Sequence, residues 1–98
     1  MADAKIDFEQ WLQAGNAKKL VPSFVIANID EVSKWAVENK IIKVGFFEMA
    51  DSKQFNPVRN KLLNNKFFRK NNRQLYKDFE KAGRLYFDFL KERGTARN

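Results

Sequence analysis

Residues 71–94, NNRQLYKDFEKAGRLYFDFLKERG, decide the fold. Leu75, Phe79, Ala82, Tyr86, Phe89 and Leu90 recur at steps of three and four, the spacing of one face of an α-helix. Asn71 followed three residues later by Gln74 fits a capping box at the start, and Gly94 fits a stop. Tyr76, Gly83 and Phe87 widen the apolar stripe, so this helix is expected to be contacted from more than one side. Gly83 weakens a helix interior, and the compensation expected is close approach by a neighbouring helix.

Working outward, Pro22-Ser23 opens a second amphipathic helix. Val25, Ile29, Val32 and Ala36 share a stripe with Ile26 and Trp35 at its flanks, and Asn28, Asp30, Glu31, Lys34 and Glu38 fall mainly outside it. It should fade at Asn39-Lys40. Before it, a first helix starts near Asp3 or Asp7, where Asp7 and Gln10 fit a capping box. Phe8, Trp11 and Leu12 form its face, and Gly15-Asn16 is the stop. Ala17 to Val21 reads as a connector carrying Lys18 and Lys19.

The run IIKVGFF at 41–47 is β-like, but the chain offers no second strand to pair with it. A lone strand leaves its hydrogen bonds unmade, so a packed connector with a turn at Gly45 is expected. Asp51 with Gln54 could cap a third helix reaching about Asn64, but Pro57 would lie beyond its first turn. Either that helix begins at Pro57 with Asn56 as cap, or a short turn precedes it. Val58, Leu62 and Leu63 are its core candidates, and Phe67-Phe68 marks a small hydrophobic anchor of about one helical turn. The fold class that follows is all-α: one domain over 1–98, a compact bundle of four to five helices with the second and last at its centre.

Composition agrees. Ninety-eight residues suit one domain, and 44% are hydrophobic, with ten Phe, two Trp and two Tyr to supply buried area. Four Gly and two Pro are too little punctuation for an all-β domain. The absence of Cys excludes disulfides and thiolate metal sites. No apolar run approaches the roughly 18 residues of a membrane span, and MADAKIDFEQ is acidic where a signal peptide would be basic, so no membrane partner and a cytoplasmic location are expected. The absence of His removes the imidazole base, the His metal ligand and the His-activated nucleophile. Asp3, Asp7 and Glu9 are explained by the helix dipole, and no phosphate-cradling Gly loop, EF-hand or nucleophile elbow is present. The expectation is a chain that is not an enzyme and has no cofactor and no metal.

Charge is the informative residue. Residues 1–52 hold six Lys/Arg against eight Asp/Glu, whereas 53–98 hold thirteen against four. From Lys53 through Lys77 there are eight basic residues and no acid. Within it, RNKLLNNKFFRKNNRQ (59–74) carries Arg59, Lys61, Lys66, Arg69, Lys70 and Arg73, interleaved with Asn60, Asn64, Asn65, Asn71 and Asn72. Lys and Arg neutralise phosphates and release counterions, and Asn offers short donors to phosphates or base edges. A helix starting near Asn71 would present free amides to an anion, flanked by Arg69, Lys70 and Arg73. The candidate contacts are Arg59, Lys61, Lys66, Arg69, Lys70, Asn71, Asn72, Arg73 and Lys77. The bland reading is that basic residues solubilise a surface while Asn residues cap helices and fill loops. Phe67, Phe68, Tyr76 and Tyr86 could stack on bases, but Phe79, Tyr86, Phe89 and Leu90 have the period of a buried face. An exposed Phe46-Phe47 or Phe67-Phe68 pair would alternatively dock a protein.

Two resemblances bear on this. Phe8-x-x-Trp11-Leu12, the second amphipathic helix and Tyr86-x-x-Phe89-Leu90 resemble the SAM-like core-binding domain of tyrosine recombinases. SKWAVEN (33–39) and AGRLYFDFL (82–90) resemble a small helical module that precedes nuclease domains in some bacterial restriction-type endonucleases. Either implies an accessory DNA-contacting module whose chemistry lies in a neighbouring catalytic domain or subunit. The functional expectation is therefore a non-catalytic nucleic-acid-binding accessory domain, DNA ahead of RNA, using a basic surface at 59–77. The alternative is a protein-interaction or dimerisation module whose basic face docks an acidic partner.

Overall fold

In the computed structural model, which describes residues 4–49 and 51–96, the decisive stretch is one long helix, α5 (Arg73–Ala96). At 1.5 Å per residue it is about 36 Å long, so it runs the length of a molecule whose greatest extent is 37 Å. It buries Phe79, Ala82, Leu85, Tyr86, Phe89 and Leu90. A Cβ on Gly83 would lie 3.1 Å from the Phe79 ring and 3.4 Å from Arg59 Cδ. The glycine therefore makes room for its own helix's aromatic ring and for an arginine stem from a neighbour.

Crossing α5 is α2 (Pro22–Glu38), with Pro22 in its first turn and Val25, Ile26, Ile29, Val32 and Ala36 buried as the periodicity predicts. Two polar residues are buried with them. Asn28, expected outside the stripe, instead donates through Nδ2 to the Leu75 carbonyl at 3.2 Å and so ties α2 to the start of α5. Ser33 Oγ accepts the Phe46 N–H at 3.0 Å.

α1 (Ala4–Trp11) buries Phe8 and sets Trp11 between Phe8 and Phe89. Asp7 lies inside the first turn and does not precede the helix, while Asp3 lies outside the described residues. A wide π-type turn (Leu12–Asn16) follows, and within it Gly15 takes φ +106°, a conformation that suits glycine. Asn16 Nδ2 donates to the Trp11 carbonyl at 2.8 Å.

The 41–47 run is a packed connector, and no strand occurs among the described residues. The N–H groups of Ile41 and Ile42 both turn back to the Ala36 carbonyl. The Gly45 N–H donates to the Glu48 carboxylate at 3.2 Å, and Phe46–Glu48 close a 3-10 turn. The chain's remaining helices then pack on α5. α3 (Ser52–Leu63) is capped by Asp51, which accepts the Lys53 N–H at 2.9 Å, and Pro57 lies inside it. A start at Pro57 is thus ruled out, and Asn56 is no cap: its Oδ1 accepts from Arg59 Nη2. Pro57 and Lys53, whose carbonyl loses its helical donor, are both exposed, so water can serve that carbonyl. Starting earlier also buries Phe55 completely.

α4 (Lys66–Asn71) is capped by Asn65, whose Oδ1 accepts the Phe68 N–H at 2.8 Å. Phe68 pins it between Trp35, 4.7 Å away between ring centroids, and Tyr76, 5.9 Å away. The expected capping box of Asn71 with Gln74 does not form. Asn71 ends α4 and donates to the Phe67 carbonyl, while Gln74 Nε2 donates to Asp78. Asn72 is the junction: its N–H donates to the Phe68 carbonyl and its own carbonyl accepts the Tyr76 N–H.

At the centre of the five helices, the Tyr86 hydroxyl lies 2.9 Å from the Phe46 carbonyl and 3.1 Å from that of Met49. Its ring meets those of Phe8 and Phe55 edge-on. Among the described residues no helix is long and apolar enough to cross a membrane.

Candidate nucleic-acid interface

Phe68 fixes the inner side of α4, so Lys66, Arg69 and Lys70, spaced three and four apart, stand together on its outer side. The chain turns at Asn72 into α5, where Arg73 and Lys77 sit one helical turn apart. All five cations are exposed, and among the described residues none of them is in an ion pair. Lys66, Arg69, Lys70 and Arg73 line a depression of about 430 Å³. Arg69 and Arg73 also line a second one, of about 350 Å³, with Tyr76, Lys77 and Glu80. The shared residues make the two one continuous surface. The Arg69 guanidinium lies 5.7 Å from the Tyr76 ring centroid, and the Tyr76 hydroxyl is held by donating to the Leu63 carbonyl at 2.6 Å.

The other sequence-selected residues fall elsewhere. Arg59 is turned into the α3–α5 seam, with its guanidinium 5.0 Å from the Phe87 ring centroid and hydrogen-bonded to Asn56. Burial, with the nearby Arg84 charge, holds its pKa below the usual guanidinium value, while Asp88 opposes this. Lys61 is exposed in the last turn of α3 and lines neither depression. Asn71 and Asn72 line a third groove, of about 540 Å³, between α2 and the start of α5, and Arg73 lines it too.

The basic surface continues past the residues selected from sequence. Lys81 and Arg84 follow Arg73 and Lys77 along α5 at steps of four, four and three, so successive rungs are about 4.5–6 Å apart along the axis. With Lys18, Lys19 and Leu20 they line a depression of about 510 Å³ that shares Glu80 with the Lys77 end of the surface. Arg84 is partly neutralised by Asp88, 3.3 Å away. The helical spacing of Lys77, Lys81 and Arg84 was a usable signal in the sequence. The approach of Lys18 and Lys19 was not, because it depends on how α1 packs back on α5.

Of the aromatic candidates, Phe68 and Tyr86 are buried in the core and Tyr76 is half-buried. Phe67 stands open beside Lys66 at 64% exposure. Phe46 is buried and Phe47 half-buried, so neither Phe pair is exposed as a whole. Among the described residues no three carboxylates gather into a metal-binding group. Comparison with protein-family models, with curated proteins and with solved structures finds no match.

Proposed function

We propose that this chain is a non-catalytic nucleic-acid-binding accessory module that holds phosphates along the outer side of α4 and the adjoining stripe of α5. The observation that carries the reading is the convergence of Lys66, Arg69, Lys70, Arg73 and Lys77 on two depressions that share Arg69 and Arg73. Five exposed cations with no ion-pair partner among the described residues repel one another, and a polyanion relieves that repulsion while releasing its own counterions. A sequence without His or Cys offers no imidazole base and no thiol nucleophile to act on a bound strand, which favours holding over cleaving. DNA stands ahead of RNA because both families that the sequence resembles contact DNA.

The open Phe67 beside Lys66 favours a second reading, in which the same basic face docks an acidic protein. The Arg69→Ala, Lys70→Ala double variant tests the first. Under the phosphate reading its affinity falls evenly across nucleic-acid sequences, and the slope of log K against log salt flattens by about 1.8 for duplex DNA. Unchanged affinity and slope, measured by fluorescence anisotropy, would remove these two residues from the interface.

A further inference from the structure

We infer that the groove between α2 and the start of α5 receives one unpaired nucleobase, so that the surface takes single-stranded nucleic acid in preference to duplex. The inference rests on the phosphate-contact reading and adds to it a place for the base. The groove, of about 540 Å³, is lined by Phe24, Asn28, Asn72, Arg73, Gln74 and Asp78 among others. Three features equip it for a base.

Phe24 keeps a large apolar ring at 47% exposure on the groove wall and has no aromatic neighbour among the described residues. A base face stacked on it would take both surfaces out of water, and every base offers such a face. Around the ring stand polar groups suited to a base edge. The Asn72 amide can donate, and the Gln74 Nε2 to Asp78 Oδ1 bond fixes two side chains while leaving Gln74 Oε1 and the other Asp78 oxygen as acceptors for exocyclic amino groups.

Asn28 supplies the third feature. It is only 5% exposed and spends its Nδ2 on the Leu75 carbonyl, and its Oδ1 is buried with no donor. A buried amide oxygen without a donor is unfavourable, which leaves the Asn28 part of the groove wall with an unfilled acceptor. Arg73 lines this groove and both phosphate-side depressions, so a nucleotide with its phosphate at Arg73 is placed to lay its base on Phe24. In a duplex the bases are stacked and paired, and none is free to enter.

The test uses the full chain and fluorescence anisotropy with three labelled probes of equal length: a single strand of mixed sequence, an abasic strand with the same phosphates, and a duplex. The wild type is expected to bind the single strand on the order of 10- to 100-fold more tightly than the abasic strand. Phe24→Ala should bring the single strand down to the abasic level without changing the salt slope, and Phe24→Trp should restore the preference. The Trp variant also keeps the test open should the alanine variant fold poorly. Equal wild-type affinity for single and abasic strands overturns the base site and leaves the phosphate reading standing. So does an equal loss on both strands in Phe24→Ala. Absence of binding to every probe overturns both.

Discussion

Replacing Tyr86 with alanine is expected to destabilise the fold by about 3–5 kcal/mol, the usual range for a buried aromatic truncated to a methyl group. For a domain of this size, that lowers Tm by roughly 15–30 °C. The size of the effect follows from position. The fully buried ring is ringed by Phe8, Phe47, Phe55 and Phe89, so its loss opens a cavity that rigid neighbours fill poorly. Tyr86→Phe isolates the hydroxyl and is expected to cost about 1–3 kcal/mol, because it withdraws a donor from buried carbonyls. The Phe46 carbonyl keeps the Met49 N–H, which holds the loss toward the lower end. Burial raises the Tyr86 phenol well above its ordinary pKa. The folded form therefore holds its proton where the unfolded chain has lost it. Stability from this group is intact below about pH 10 and is lost as pH rises beyond it. Thermal melts across that range should show the decline in the wild type and a smaller one in Tyr86→Phe.

Removing four charges at once, Lys66→Ala, Arg69→Ala, Lys70→Ala and Arg73→Ala, is expected to abolish measurable nucleic-acid binding at moderate salt while leaving the fold intact. All four side chains are exposed, and substitutions at such positions usually change stability by less than about 0.5 kcal/mol. Each phosphate contact contributes about 0.9 to the salt slope on duplex DNA. Referred to 1 M salt, four contacts are worth on the order of 3–4 decades of affinity at 0.1 M. Arg73 lines three grooves and should account for the largest share. A variant that melts like the wild type and still binds with the wild-type salt slope would place the interface elsewhere.

The two central helices were legible because their apolar residues follow one period without interruption: Val25, Ile29, Val32 and Ala36 in α2, and Phe79, Ala82, Tyr86 and Leu90 in α5. The 41–47 run was legible by elimination, since a strand needs a partner. Its hydrogen bonds go to the Ala36 carbonyl, Ser33 Oγ and the Glu48 carboxylate. Errors arose where a local signal met a tertiary one. Pro57 argues for a helix start, yet the burial of Phe55 and the Asp51 cap favour a start five residues earlier. Asn71 with Gln74 has the spacing of a cap, but Phe68, locked between Trp35 and Tyr76, keeps Asn71 in α4 and leaves Asn72 as the junction. The basic cluster around Arg69 was visible as composition. That Arg59 folds onto Phe87, and that Lys18 and Lys19 join Lys81 and Arg84 to extend the surface, depends on contacts between segments far apart in sequence. The Phe24 groove could not be read at all, because Asn28 and Phe24 come from one helix and Asn71 to Asp78 from the end of α4, its junction and the start of α5.

The measurement that tests the central claim most directly is wild-type binding to labelled single-stranded DNA, duplex DNA and RNA at low and at near-physiological salt. The expected result is binding to at least the single-stranded DNA probe, falling steeply as salt rises, with a slope that corresponds to about five phosphate contacts. Failure to bind any of the three probes at low salt would contradict it and leave the basic face of α4 and α5 as a protein-docking or solvated surface.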